Sequence, residues 1–176
     1  FKPVIFQPMT WLAMCLLATS CGLAQEPTPP VDADRLVEAI RANDLPAVQD
    51  ALDKGAEVNA RDIDGQTPLI VAAIFSKTPE IVTLLLATGA EIHARTNDGY
   101  TPLMFAAKLS STPAIVTLLL AMGADIEARD KYGNTPLMVA AGYSTTPEIV
   151  TLLLDAGAEI EARNNVGATP LMVAAM

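Results

Sequence analysis

The chain has 176 residues, of which 51% are hydrophobic, so it is long enough and apolar enough to bury a core. Its formal net charge is -9. This charge disfavours nucleic acids and anionic membrane surfaces as partners, because affinity for phosphate groups depends mainly on Lys and Arg. We therefore expect a folded domain or a short repeat array that does not bind nucleic acid.

The first 24 residues have the order of a secretory signal. Lys2 precedes an apolar run from Trp11 to Ala18, and small residues follow. The run is shorter than the about 20 residues that a membrane span needs, so a retained transmembrane helix is the weaker interpretation. We expect residues 1–24 to be a signal peptide of an exported protein, periplasmic or secreted, with no membrane span in the mature chain.

Two cleavage sites remain open in this region. Cleavage after Ala24 would follow small residues, whereas cleavage before Cys21 would follow Ala18-Thr19-Ser20. The second segment resembles a bacterial lipoprotein box, although Ala18 stands where Leu is more common. This resemblance implies lipidation of Cys21 and a membrane-anchored lipoprotein. Residues 25–33 are Pro-rich, which predicts a stiff linker in either case.

The remaining residues, 34–176, repeat with a period of 34. The tripeptide Thr-Pro-Leu starts at Thr67, Thr101, Thr135 and Thr169. Self-similarity at this period predicts a solenoid. The predicted units are residues 34–64, 65–98, 99–132, 133–166 and a truncated 167–176. The first unit has a more charged first helix and is expected to be an N-terminal capping repeat, because a terminal repeat needs a polar outer face. We expect the natural protein to continue past Met176, since no C-terminal cap is visible.

Each unit contains two predicted helix starts. In the second unit Thr67 and Thr78 each precede a proline, and we predict both threonines as helix N-caps. The second helix is predicted at Glu80–Ala87, and Asn97-Asp98-Gly99 predicts a tight turn that leads into the next unit. The later equivalents of Thr78 are Thr112 and Thr146.

Several segments of this repeat resemble the ankyrin family. They are the Asp-Gly-x-Thr-Pro-Leu entry, Ala72-Ala73, Ile81-Val82-x-Leu84-Leu85 and Gly89-Ala90-Glu91-Ile92. Tetratricopeptide repeats share the period but carry an early Trp and lack these segments. The resemblance, which we interpret as that of a bacterial, exported member, implies an all-α solenoid of helix-turn-helix units joined by β-hairpin-like turns. It also implies a protein-binding function through a concave face of turn tips and first helices.

The residues needed for catalysis or metal binding are scarce. The chain has one histidine, His93, at a repeat position that predicts an exposed turn, and its two cysteines both lie in the signal region. Few residues are therefore available for a His/Cys metal cluster or for Cys-His or Ser-His catalysis. We expect no enzyme activity, no metal and no cofactor.

Three series of residues recur once per unit and are predicted to be structural. The carboxylates are expected to form a ladder. The arginines are expected to stack and form salt bridges with neighbouring carboxylates, with an anion site as the weaker alternative. The methionines are expected to fill the core, with copper binding as the weaker alternative. The series are Glu57, Glu91, Asp125 and Glu159; Arg61, Arg95, Arg129 and Arg163; and Met104, Met138 and Met172.

Positions that change from unit to unit are the candidates for partner binding. Around the turns they are Ile63, Asp64, Gln66, Asn97, Asp98, Tyr100, Lys131, Tyr132 and Asn134. At the ends of the first helices they are Ile74, Phe75, Lys108, Leu109, Gly142 and Tyr143. The set includes all three tyrosines, and aromatic residues often dominate interface energy. The alternative is that Phe75 and Tyr143 only pack on neighbouring helix ends.

Together these patterns predict a monomeric protein-binding module that acts in the cell envelope or outside the cell, with a protein partner of unknown identity. One alternative is a targeting or regulatory appendage of a larger enzyme whose catalytic domain lies beyond Met176. A further alternative is an envelope factor that shields or inhibits an exported partner, such as a toxin.

Overall fold

A computed structural model of the chain describes residues 31–110 and 112–175, with side chains from residue 34 onward. The predicted signal peptide at residues 1–24, the proposed lipidation site Cys21 and most of the predicted linker lie outside the described residues. The first helix begins at Val31, within the last three residues of the segment predicted as linker.

Across these residues the chain forms helices and turns, and no strand. The helices are α1 Val31–Arg41, α2 Leu45–Asp53, α3 Pro68–Phe75, α4 Glu80–Ala87, α5 Pro102–Leu109, α6 Pro113–Ala121, α7 Pro136–Tyr143, α8 Pro147–Asp155 and α9 Pro170–Ala174. Consecutive first helices pack against one another, from α1 through α3, α5 and α7 to α9, and each packs on the second helix of its own pair where that helix is present. The predicted all-α solenoid is therefore confirmed.

The first helix of each Thr-Pro-Leu unit begins with a threonine cap, as predicted. The Oγ1 atoms of Thr67 and Thr135 each accept the amide of the residue three positions later, at 3.4 Å, and Thr101 does so at 3.3 Å. Because these threonines are buried, the bond also satisfies a hydroxyl that water cannot reach. The following proline has no amide that would need a partner.

The predicted side-chain caps of the second helices are absent, although Thr112 and Thr146 do stand at the N-cap positions of α6 and α8. Pro79, not Thr78, precedes α4, and Thr112 and Thr146 precede α6 and α8 without a side-chain capping bond. The Oγ1 atom of Thr112 instead donates a hydrogen bond to the carbonyl of Lys77 in the preceding repeat, at 3.2 Å. Ser110 accepts the amide of Thr112 at 3.0 Å, so a buried serine organises this turn.

The core lies between the first and second helices. Leu103 and Leu137 from the first helices and Ile115 and Ile149 from the second are at most 2% exposed. Small residues at Ala106 and its equivalents let neighbouring first helices approach closely. Met104 and Met138 are fully buried, which confirms their predicted core role. Met172 is 54% exposed, since no helix pair follows α9 in the part of the chain that the structure describes.

The turns between units are hairpin-like, as predicted. In each, the amide of the first residue donates to the carbonyl of the residue four positions later, for example from Thr96 to Tyr100 at 3.0 Å. Consecutive turns are also joined by single backbone bonds, from the amide of Lys131 to Asp98 at 2.9 Å and from the amide of Asn165 to Tyr132 at 2.9 Å. The turns therefore form a continuous hydrogen-bonded edge of the solenoid.

The arginine series is structural, but its predicted salt bridges are wrong. Arg95 and Arg129 donate to backbone carbonyl groups one repeat further along, those of Arg129 and Arg163, at 2.6 and 2.7 Å. Arg61 makes the same contact with the carbonyl of Arg95. The guanidinium groups of these three arginines thus bind carbonyl oxygens of the next turn. The ion pairs among the described residues are made instead by Arg35, Lys54 and Lys131.

Candidate partner-binding face

The turn tips and the first helices share one surface, which we call the first-helix face; it comprises the turns at 62–66, 96–100 and 130–134 and helices α3, α5 and α7. This face contains a groove of about 460 Å³, which we call the central groove. Its lining residues are Asp64, Gln66, Thr96, Asn97, Asp98, Tyr100, Phe105, Lys108 and Tyr132. All except Thr96 and Phe105 belong to the predicted partner-binding set.

Tyr100 forms the aromatic wall of the central groove. Its ring centre lies 5.2 Å from that of Phe105, with the two planes tilted by 43°. Burial, followed by the negative charge of Asp130, raises the pKa of the Tyr100 phenol above its ordinary value. The hydroxyl group therefore stays protonated and can both donate and accept a hydrogen bond.

Lys108 connects two of the predicted aromatic residues. Its Nζ atom lies 5.5 Å from the ring centre of Tyr100 and 4.7 Å from that of Tyr143. At these distances a cation is attracted by the electron-rich faces of both rings. Tyr143 does not line the central groove, but this contact places it beside the groove, with 60% of its surface exposed.

A second cluster lies at the turn tips. Lys131 forms an ion pair with Asp98, and its Nζ atom lies 5.0 Å from the ring centre of Tyr132. The hydrogen bond to Asp98 holds the pKa of Lys131 above its ordinary value, so this amine remains charged. Asp98 and Lys131 neutralise each other, and the ring of Tyr132 remains 56% exposed.

The other predicted residues lie outside the central groove. Phe75 is at the N-terminal end of the first-helix face, where the Arg41 guanidinium lies 5.4 Å from its ring centre. Ile63 is 93% exposed at a turn tip, Leu109 is 52% exposed at the end of α5, and Ile74 is half-buried. Phe75 and Tyr143 thus both contact a cation of the preceding repeat, as the packing alternative predicts, while large parts of their rings stay exposed.

Two asparagines of the predicted set also hold the turns together. The Nδ2 atom of Asn97 donates to the carbonyl of Ile63 at 2.9 Å. Asn134 donates to Asp130 at 3.0 Å and accepts from Asn164 at 2.9 Å. A position that varies between repeats is therefore not automatically free to contact a partner, because its side chain can help to hold the turns together.

The repeat comparison missed two groove residues, Thr96 and Phe105, and Phe105 is the aromatic one. Its equivalents are Val71, Val139 and Val173. Val71 and Val139 are at most 2% exposed, whereas Phe105 is half-buried, because a phenyl ring does not fit the space of a valine and extends into the groove. The one aromatic residue in a valine series was a signal available in the sequence.

The central groove is lined by aromatic, charged and amide side chains. Among residues 31–110 and 112–175, no three His, Cys, Asp or Glu side chains are grouped so as to hold a metal ion. Nor is any helix in this part of the chain both long and apolar enough to cross a membrane. His93 is exposed, in agreement with its predicted surface position. Aromatic faces, two carboxylates, one amine and two side-chain amides line the groove and can bind polar and apolar parts of one ligand.

Comparison with known proteins agrees with this architecture. Residues 36–130 and 111–176 match the family model described as ankyrin repeats in three copies. The chain therefore belongs to the ankyrin-repeat family, whose members are generally modules for protein–protein interaction. A stretch of 77 residues, 43% of this chain, is 40% identical to the human mitochondrial disaggregase. The matched stretch spans 11% of that protein's length.

Proposed function

We propose that this chain is a protein-binding module that recognises its partner through the central groove and the aromatic residues beside it. The observation that carries the proposal is the concentration of exposed aromatic rings on one face. Tyr132 and Tyr143 are 56% and 60% exposed, and each is backed by a lysine amine instead of being covered by neighbouring helices. Exposed, pre-positioned rings of this kind are typical interface anchors.

The test removes these two rings. The variant Tyr132→Ala/Tyr143→Ala should lose binding by about 2 kcal/mol or more, as expected for hot-spot residues, which is a loss of affinity of roughly thirtyfold or more. Tyr100 is left in place because it packs on Phe105, so that its removal would also affect folding. Binding is measured by quantitative mass spectrometry of proteins retained from a native host extract.

Met122→Ala is the matched control. Met122 is 54% exposed but lies at the end of α6, a second helix, so its removal also deletes exposed apolar surface. Proteins retained by the unchanged chain and by Met122→Ala should be lost with the double variant, while the thermal unfolding of all three stays similar. Equal retention by the double variant would contradict the assignment of this face.

The setting of this function is a further part of the proposal. We propose that the chain is bacterial and exported, acts in the envelope or outside the cell, binds as a monomer and has no catalytic activity of its own. The order of basic, apolar and small residues before residue 25 supports export. Mass spectrometry of the mature protein should find a start at Gln25 or a lipidated Cys21, and an intact residue 1–24 segment in the cytoplasm would contradict export.

A second candidate function is that of a recognition appendage within a larger enzyme. The similarity to the mitochondrial disaggregase favours it, since the matched stretch is a small part of that much longer protein. A reading frame that encodes a further folded domain after Met176 would support this candidate, and a frame that contains only additional repeats would support a stand-alone binding module.

A further inference from the structure

The central groove has opposite charges at its two ends. Asp64 lies at the turn-tip end, and Lys108 lies on α5 at the helix end. Tyr100 and Phe105 line the same groove with their ring centres 5.2 Å apart, and the Lys108 Nζ atom lies 5.5 Å from the ring centre of Tyr100. A ligand that crosses the groove from the turns to the helices therefore meets a carboxylate, then aromatic rings, then an amine.

These two charges have no ion-pair partner within the described part of the chain, and they do not pair with each other. The other charged pair at the groove, Asp98 and Lys131, is already neutralised. The Lys108 amine lies over the ring faces of Tyr100 and Tyr143. Because an ammonium group has three N–H donors, it can bind an oxygen atom of a ligand while it keeps these ring contacts.

The unpaired charges restrict what can cover the groove. A ligand that covers Asp64 or Lys108 without an opposite charge would remove its hydration and leave it unpaired, which costs binding free energy. A polyanion such as RNA would meet Lys108 favourably but would be repelled by Asp64 and by the net charge of -9. A purely basic segment would meet Asp64 favourably but would be repelled by Lys108.

We infer that the central groove binds an extended protein segment that carries a basic side chain for Asp64, an apolar or aromatic residue for the Tyr100–Phe105 wall and a carboxylate for Lys108. This inference rests on the proposed protein-binding function and adds the chemical order of the bound segment. The order follows from the positions of the groove charges, since Asp64 lies in the turn before α3 and Lys108 lies on α5.

A displayed library of random peptides, selected against the full chain, is the probe. We expect the enriched peptides to combine Arg or Lys with Asp or Glu around an apolar residue. One enriched peptide is then compared with two analogues, in which either the basic or the acidic residue is replaced by a neutral one. Each replacement should lower the affinity for the unchanged protein by about tenfold, as is common for close charge pairs at interfaces.

Two protein variants assign each charge. For the Asp64→Asn variant, replacing the basic residue of the peptide should no longer lower the affinity, whereas replacing the acidic residue should still lower it. The Lys108→Met variant keeps an unbranched side chain beside the rings. For this variant, replacing the acidic residue of the peptide should no longer lower the affinity, whereas replacing the basic residue should still lower it. Lys108→Arg retains the charge and should keep the preference for an acidic residue. Circular dichroism checks that all variants are folded.

The outcomes separate the inference from the proposed function. Enriched peptides whose charge preferences survive both substitutions, or peptides that are uniformly basic or uniformly acidic, would overturn the charge order while leaving protein binding intact. Enriched peptides that bind Tyr132→Ala/Tyr143→Ala as well as the unchanged protein would instead count against the proposed face. Failure to enrich any peptide would overturn the binding of a linear segment.

Discussion

The guanidinium of Arg129 donates a hydrogen bond to the backbone carbonyl of Arg163, with 2.7 Å between Nη1 and the oxygen. The same nitrogen donates to the carbonyl of Gly133, in the turn that directly follows Arg129, at 3.0 Å. Arg129 therefore fixes one turn and joins it to the next. Because Arg95 makes the equivalent pair of contacts, the stacking of the repeats depends on a row of arginines that bind carbonyl groups.

We expect Arg129→Met to destabilise the array by about 1–2 kcal/mol. The substitution keeps an unbranched apolar stem but removes a charged donor that serves two carbonyl groups. Arg163→Met is the control, since the structure describes for Arg163 only the bond to Gly167 in its own turn, at 3.0 Å, and its cost should be smaller. Urea unfolding measures both. Equal losses would mean that the contact between repeats contributes nothing.

The two types of threonine before the helices should differ in their contribution to stability. Thr135→Ala removes a helix cap, from Oγ1 to the amide of Met138, and should lower the free energy of unfolding by about 1 kcal/mol. Thr146→Ala removes a side chain that makes no capping bond and should cost clearly less. Thr135→Ser keeps a hydroxyl oxygen that can accept the same bond, so this variant should keep most of the free energy of unfolding that Thr135→Ala loses. If Thr146→Ala proved as costly as Thr135→Ala, the structural distinction between the two positions would be wrong.

Two glycines with a left-handed backbone conformation allow two costs of an alanine substitution to be compared, backbone strain and steric crowding of the added Cβ atom. Gly133 has φ of 79° and Gly123 has φ of 90°, so alanine is strained at either position, by about 1–2 kcal/mol. A Cβ atom at Gly133 would also lie 2.9 Å from the backbone nitrogen of Asn165, whose amide links two turns, whereas at Gly123 it would meet nothing within 4 Å.

Gly123→Ala should therefore cost about 1 kcal/mol, and Gly133→Ala about 2–4 kcal/mol, because strain is joined by the loss of a hydrogen bond between repeats. Chemical unfolding of the two variants under the same conditions gives the difference. Similar costs at both positions would show that the turn edge can shift to accommodate a methyl group.

The first repeat contains an ion-pair cluster with a defined pH dependence. Asp50 accepts from Lys54 at 2.7 Å and from Arg35, on α1, at 2.8 Å. The hydrogen bond to Lys54, with the charge of Arg35 as a smaller cause, holds the pKa of Asp50 below its ordinary value. A carboxylate whose pKa is lowered by folding stabilises the native state above its unfolded-state pKa, and this contribution is lost as the pH falls through the native value.

Asp50→Asn should accordingly lower the melting temperature at neutral pH, and the difference from the unchanged protein should shrink as the solution is acidified below the lowered pKa. Thermal unfolding followed by circular dichroism at a series of pH values measures this. A difference that is constant with pH would mean that the amide disturbs packing and that the charge of Asp50 contributes no stability.

The 34-residue period determined the class of fold, the threonine caps of the first helices and the glycine turns, because each of these depends on interactions between residues close in the chain. The same locality explains why most of the residues that line the central groove could be found. Turn tips and first helices are defined by the repeat itself, and residues that differ between repeats at those places are visible in one sequence.

Only the tertiary structure decided which groups meet between repeats. The arginines bind carbonyl groups and not carboxylates, Thr112 reaches back to Lys77 instead of capping its helix, and Phe105 enters the groove because a valine-sized space cannot hold its ring. The first two outcomes depend on the distance between side-chain and backbone atoms about 34 residues apart, which the stacking of the repeats sets and the local pattern of residues does not encode. The valine series signals that Phe105 is exceptional, but only the packing around it places its ring in the groove.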